Sequence, residues 1–175
     1  MIPGARLHAY LTGFMASGKS TLGADSAALL SIPFVDLDNV VEERSGRTIP
    51  DLFAEGEQAF RAIETAALQY VLSELDSPTL IALGGGTWLQ QENAALLPKQ
   101  RVVFLDAPFD LLSQRILTSN RPLGRDVQSL RQLYDLRLPI YRSAGHTLSI
   151  GASESRASLA MRLSELVKNC FAQSV

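Results

Sequence analysis

Cysteine is almost missing from this chain. Cys170 is the single one in 175 residues, which excludes an intrachain disulfide and a multi-cysteine metal centre. Its place in an apolar helical pattern makes it a buried filler rather than a reactive thiol. An excess of one charge is missing too: 16 basic against 18 acidic residues leave a formal net charge of −2. With no basic run, a nucleic-acid partner is not expected. No apolar stretch approaches the roughly 20 residues needed to cross a bilayer, so no membrane partner is expected either. The opening Met1-Ile2-Pro3-Gly4 lacks the charged-then-apolar run of a signal peptide, and a cytoplasmic location is the default expectation. Histidine is scarce. His8 falls in a strand-like run where partial burial is expected, and His146 precedes the last expected strand without a partner pattern for a metal. Internal repeats, low-complexity tracts and linkers are also lacking. At this length, with 46% hydrophobic residues, the chain reads as one domain, 1–175, with a real core.

What is present begins with Gly13-Phe14-Met15-Ala16-Ser17-Gly18-Lys19-Ser20. This octapeptide fits the phosphate-binding loop pattern Gly-x-x-x-x-Gly-Lys-Ser/Thr. Its glycines let backbone N–H groups wrap a triphosphate, Lys19 reaches the β/γ-phosphates, and the Ser20 hydroxyl suits Mg²⁺. A strand-like run over 7–12 precedes the loop and a helix-like run over 20–30 follows it, so the anion meets a helix N-terminus. The loop specifies a nucleoside triphosphate and is silent about the acceptor.

Strand-like and helix-like runs alternate from there on. Strands are expected at 32–36, 79–83, 101–105 and 147–150. Helices are expected at 39–45, 58–75, 92–97, 108–117, 128–141 and 153–171. Near-continuous apolar strands between helices predict an α/β fold with a parallel sheet covered on both faces. In such sheets ligands sit beyond the carboxyl ends of the strands. The weakly patterned stretch 118–127 suits a lid.

Several side chains fall where chemistry is expected. Asp36 and Asp38 share a side if strand spacing continues through them. One would then hold magnesium and the other would orient a hydroxyl and accept its proton; the plainer alternative is a pair of surface helix caps. Arg61 and Glu64 are helix neighbours, either an exposed pair or a guanidinium aimed at a bound carboxylate. Gly84-Gly85-Gly86 carries a large ordering cost, which close approach to a ligand or a tight turn would explain. Arg121, in the lid stretch, suits a cation that meets developing phosphoryl charge. Arg137 either binds an anion or covers surface with its stem. Trp88 is either core or a wall near the ligand.

Taken in order, these segments resemble shikimate kinase over nearly the whole chain. The matching elements are residues 13–20, Phe34-Val35-Asp36-Leu37-Asp38, Asp51-Leu52-Phe53, and Gly56-Glu57 leading into Phe60-Arg61-Ala62-Ile63-Glu64. The glycine triplet, Arg121-Pro122-Leu123 and Arg137-Leu138-Pro139-Ile140-Tyr141 complete the set. The resemblance implies a P-loop three-layer sandwich of the nucleoside-monophosphate-kinase kind, with a five-stranded parallel sheet in the order 2-3-1-4-5. It implies phosphorylation of the 3-hydroxyl of shikimate by ATP with Mg²⁺, in chorismate biosynthesis, by a monomer whose partners are ATP and shikimate. It assigns Asp38 to the substrate hydroxyls and to the role of base. Arg61 and Arg137 take the carboxylate, Gly84, Gly85 and Gly86 line the ring, and Phe53 and Phe60 form an apolar wall. Gly13, Ala16, Ser17, Gly18, Lys19, Ser20 and Thr21 hold the phosphates, and Arg115 packs on adenine. Lys19 and Arg121 neutralise the transferring group, and Ser20 and Asp36 serve magnesium. A substrate-binding helical segment spans about 37–64.

The pattern also departs from the family. Gly124 stands where a second leucine is usual in the lid. Ser143-Ala144-Gly145-His146-Thr147 and Gly151-Ala152-Ser153 differ from the usual sequence around the last strand, which leaves the adenine side open. A kinase of the same fold acting on another small metabolite, such as gluconate, is disfavoured by Arg61, Arg137 and the triplet. A silent nucleotide-binding relative is disfavoured by the presence of both Lys19 and Asp38.

Overall fold

The computed structural model describes residues 3–118 and 126–172. Its sheet has five strands, all parallel, in the order β2-β3-β1-β4-β5. These are β1 (Ala9–Thr12), β2 (Phe34–Asp36), β3 (Leu80–Ala82), β4 (Val102–Asp106) and β5 (His146–Ser149). β1 and β3 are buried along their whole length, as a sheet covered on both faces requires. In register, Leu11 of β1 stands between Ala82 of β3 and Val103 of β4. The loop after β1 therefore leaves the centre of the sheet, and Asp36 ends the edge strand β2, which β3 separates from β1, at the same end.

Eight α-helices accompany the strands among the described residues: α1 (Lys19–Leu30), α2 (Leu37–Ser45), α3 (Ile49–Ala54), α4 (Glu57–Glu74), α5 (Gln91–Leu96), α6 (Phe109–Thr118), α7 (Val127–Tyr141) and α8 (Arg156–Ala172). α1 lies close on the sheet because Gly23 has no side chain. A Cβ there would stand 2.4 Å from the Phe34 ring and 2.9 Å from Leu11. α8 packs along α1, joined by a bond from Ser26 Oγ to the Ala160 carbonyl and by the two-pronged pair of Arg156 with Asp25.

The pattern of elements agrees with the sequence reading except in a few places. Helix α3 was not expected, and it carries Pro50 in its first turn. Proline is tolerated in a first helical turn, and Thr48 caps the helix by accepting from Asp51 N. α2 begins at Leu37, so strand spacing does not run through Asp36 and Asp38. His146 opens β5 instead of preceding it, with Nε2 3.0 Å from the Gln100 carbonyl. His8 is fully rather than partly buried, and burial holds its imidazole below the ordinary value. Cys170 is fully buried, and burial pushes its thiol up to about 11. The expected lid, 118–127, overlaps two helices: Thr118 closes α6, and Asp126 caps α7 by accepting from Ser129 N at 2.7 Å. Residues 119–125, with Arg121 and Gly124, lie outside the described residues.

Candidate active site

The phosphate loop is held by its own backbone. Gly13 at φ 149° and Gly18 at φ 98° take conformations that residues with side chains rarely adopt. Ala16 is left-handed as well, at φ 61°, a strain that such loops store at functional positions. Gly18 is the N-cap of α1, so the helix dipole and its first N–H groups face into the loop. Lys19 Nζ donates to the carbonyls of Gly13 and Phe14 at 2.9 and 3.1 Å, which keeps its stem folded across the loop. Ser17 is fully buried within the loop.

Ser20 and Asp36 meet directly, the hydroxyl donating to Asp36 Oδ2 at 2.5 Å. Asp36 Oδ1 accepts from the backbone N–H of Asp38 at 3.1 Å and so caps α2. The surface-cap alternative was thus half right for Asp36. Yet both aspartates are half-buried and line one cavity of about 650 Å³ with Ala16, Gly18, Lys19, Ser20 and Thr21. They converge through the start of a helix and not through strand alternation.

The glycine triplet has a reason that neither alternative anticipated. A Cβ on Gly84 would stand 2.6 Å from Glu64 Oε1 and 2.7 Å from Asp38 Oδ1. A Cβ on Gly86 would stand 2.3 Å from Arg61 Nη2. Two of the three glycines therefore admit the protein's own charged side chains. Gly85 has no protein atom nearer than 3.9 Å to its would-be Cβ, and it lines the cavity. A turn is present as well, since Thr87 N donates to the Gly84 carbonyl at 3.2 Å.

Arg61 is no exposed surface residue. Its Nη1 donates to Glu64 Oε2 at 2.8 Å, and Nη2 to Glu57 Oε1 at 3.1 Å. Glu64 is 1% exposed, and its second oxygen accepts from the buried Thr87 hydroxyl at 2.7 Å. A buried carboxylate requires such saturation, because desolvation otherwise outweighs the attraction. Burial, the largest single influence, lowers the Arg61 pKa, but Glu64 and Glu57 together outweigh it and leave the pKa raised. The stacked rings of Phe53 and Phe60 lie 5.6 and 5.0 Å from the guanidinium carbon. Phe60 is buried and Phe53 is 41% exposed, so Phe53 carries the open part of the expected wall.

Arg137 is half-buried on α7, close enough to the Tyr141 hydroxyl to draw its pKa down against burial. Arg61 packs on Gly86 of the triplet, and the cavity lining does not include Arg61, Arg137, Phe53 or Phe60. On the nucleotide side, Arg115 lines the cavity and donates from Nη1 to the Ala16 carbonyl at 3.1 Å. Sequence reasoning missed Glu154, just before α8, and Arg156 and Leu159 in its first turn, which line the same cavity. It also missed Thr87 as a partner of Glu64. Trp88 is core, with its indole N–H donating to the Ile140 carbonyl at 3.2 Å.

A family model described as shikimate kinase matches residues 15–168. The chain belongs to the shikimate kinase family. It is 42% identical over 157 residues to the shikimate kinase of Salinibacter ruber, covering 81% of this chain and 76% of that protein. It is 36% identical over 165 residues to the shikimate kinase of Nostoc punctiforme, covering 91% and 90%. Among solved structures, shikimate kinase from Acinetobacter baumannii in complex with shikimate superposes with a TM-score of 0.80 at 36% identity, covering 95% of each chain. Shikimate kinase from Aquifex aeolicus gives 0.77 at 33% identity, covering 92% and 96%. The shikimate kinase fold, with its 2-3-1-4-5 sheet, is therefore the fold of this chain. The family is one of kinases, which draw a phosphoryl group from ATP.

Proposed function

We propose that this protein transfers the γ-phosphoryl group of ATP to the 3-hydroxyl of shikimate, releasing ADP and shikimate 3-phosphate, in chorismate and aromatic amino-acid biosynthesis. One observation carries the reading beyond family membership. Asp38 and Gly85 share a cavity with the phosphate loop, and Arg61 is packed on the neighbouring Gly86. A triphosphate site and a site for a small hydroxylated anion thus adjoin.

In this reading the loop residues Gly13, Ala16, Ser17, Gly18 and Thr21 cradle the phosphates. Lys19 leaves its two carbonyl partners for the β/γ-phosphates, and Arg121 joins it on the transferring group. Arg115 faces the adenine. Arg61 and Arg137 bind the shikimate carboxylate, Gly84, Gly85 and Gly86 line its ring, and Phe53 with Phe60 gives an apolar wall. Asp38 binds the hydroxyls and takes the proton of the attacking one. Phosphoryl transfer is mostly positioning and charge stabilisation, so prealigned cations and an acceptor for one proton are the parts it needs.

Mg²⁺ fits the Ser20–Asp36 pair, whose hydroxyl and carboxylate oxygens already meet at the cavity wall. Two protein oxygens are enough, because Mg²⁺ keeps waters and phosphate oxygens as its remaining ligands. When bound, the ion neutralises phosphate charge. The domain plan is a single kinase unit over 1–175, with the phosphate loop at 13–20, an acceptor-binding segment at about 37–64 and a lid at about 118–127. A cytoplasmic monomer completes the reading; no described helix is long and apolar enough to cross a membrane.

A coupled ADP-release assay across shikimate, gluconate and nucleoside monophosphates tests the reading. Release that depends on shikimate is expected. Folded protein with Mg²⁺ and no such release overturns it. Asp38→Asn is expected to cut turnover by at least ~10²-fold, the usual contribution of a positioned base. Near-normal turnover would remove Asp38 from that role.

A further inference from the structure

We propose that Tyr141 is a positioning residue of the acceptor site, whose hydroxyl ties the Gly85 carbonyl to the helix that carries Arg137. The inference rests on the proposed function only in taking Gly85 and Arg137 as acceptor-binding groups.

Tyr141 is the last residue of α7 and is fully buried. Its ring stacks on Phe104 of β4, with centroids 5.4 Å apart and planes 13° apart, which fixes where the hydroxyl points. The hydroxyl donates to the Gly85 carbonyl at 2.5 Å. Arg137 lies one helical turn earlier on the same face. Burial raises the Tyr141 phenol to about 12, while Arg137 and then Arg61 act in the opposite direction and Glu64 adds slightly to the rise. The phenol therefore stays protonated and donating at every ordinary assay pH.

Three consecutive glycines have no side chains with which to hold their own shape. Gly84 and Gly86 are kept in place by the charged groups packed on them. Gly85, the member that lines the cavity, has no charged side chain packed on it; its would-be Cβ meets only the Met15 N and Gly13 O backbone atoms, at 3.9 and 4.0 Å. The Tyr141 hydroxyl is the side-chain partner of its carbonyl, and it ties that carbonyl to a helix. The Trp88 indole, bonded to the Ile140 carbonyl, makes a second tie between the same two segments. The phenolic oxygen has lone pairs left to face the Arg137 guanidinium. One buried hydroxyl thus ties the ring-lining backbone to the helix from which Arg137 projects, as a group that supports the contacting residues.

The same helix supplies a matched control. Tyr134 is also buried, and its hydroxyl donates to a backbone carbonyl, that of Ala107, at 3.3 Å. Shikimate binding is read without turnover from the fluorescence of Trp88, the single tryptophan. Tyr141→Phe is expected to raise the shikimate Kd and KM about tenfold, the loss of one buried hydrogen bond with a charged neighbour. The KM for ATP stays within about twofold, and Tyr134→Phe leaves both constants unchanged. In an Arg137→Ala background the effect of Tyr141→Phe shrinks, because part of it acts through Arg137. A Tyr141→Phe protein with native shikimate affinity overturns the inference, as does an equal loss in Tyr134→Phe. Native protein that neither binds nor phosphorylates shikimate instead overturns the proposed function. If Tyr141→Phe does not fold, fluorotyrosine-labelled native protein decides the matter. The Tyr141 resonance must then shift on adding shikimate while that of Tyr134 does not; an unmoved Tyr141 resonance overturns the inference.

Discussion

The two halves of the cavity are held by different means. The phosphate loop, residues 13–20, is shaped by backbone: two glycines and Ala16 at positive φ, with its lysine bonded to carbonyls of the same loop. The region around the glycine triplet is shaped by side chains brought from α2, α4 and α7. Its glycines matter chiefly for the Cβ atoms they lack, which makes room for Glu64, Asp38 and Arg61. A loop built from its own torsions tolerates change elsewhere. A site built from converging side chains depends on every element that delivers one.

The sharpest way to test this contrast is to remove one group from each side. Lys19→Met is expected to lower turnover by about 10³-fold, the scale set by deleting one charge-stabilising donor. Shikimate binding, followed through Trp88 fluorescence, should not change. A parallel loss of shikimate affinity would mean that the two halves are not independent.

Next in size is a change within the triplet. Gly86→Ala forces a Cβ into the Arg61 guanidinium. It is expected to weaken shikimate binding at least tenfold and to cost about 1–3 kcal/mol of stability, as overpacking does. Gly85→Ala meets no protein atom within 3.4 Å, so its urea midpoint should match the native one. Equal destabilisation by the two would show that triplet flexibility matters, and not the missing Cβ atoms.

Arg61→Lys tests the arginine fork itself. A point charge replaces two directed donors, so shikimate affinity should fall about tenfold while the KM for ATP holds. Unchanged affinity would return Arg61 to a purely structural ion pair with Glu64. The smallest effect belongs to a pair outside both regions. Arg131 and Asp135 form an exposed i,i+4 bridge on α7. Arg131→Ala should change stability by at most a few tenths of a kcal/mol and leave kinetics unchanged.

Much of the fold was legible because strands buried on both sides announce themselves as apolar runs, as at Leu80–Ala82 and Val102–Asp106. Helix α3 went unread because it spans only six residues, too few for a helical period to stand out. Asp36 and Asp38 were correctly paired for the wrong geometric reason, since a helix begins between them. Glu154 and Arg156 left no local signal. They reach the cavity only because α8 packs on α1, where Arg156 grips Asp25.

By itself the sequence determined the phosphate loop, the order of strands and helices, and the types of residue available for an anionic acceptor. Torsions at Gly13 and Gly18 and the apolar runs of the strands are local properties, so they are written locally. Only the tertiary structure decided that Thr87 would saturate Glu64 across 23 positions, and that Tyr141 would hold Gly85 across 56. Such bonds depend on where helices cross the sheet and on how closely a glycine lets them approach, and no spacing within one segment encodes either.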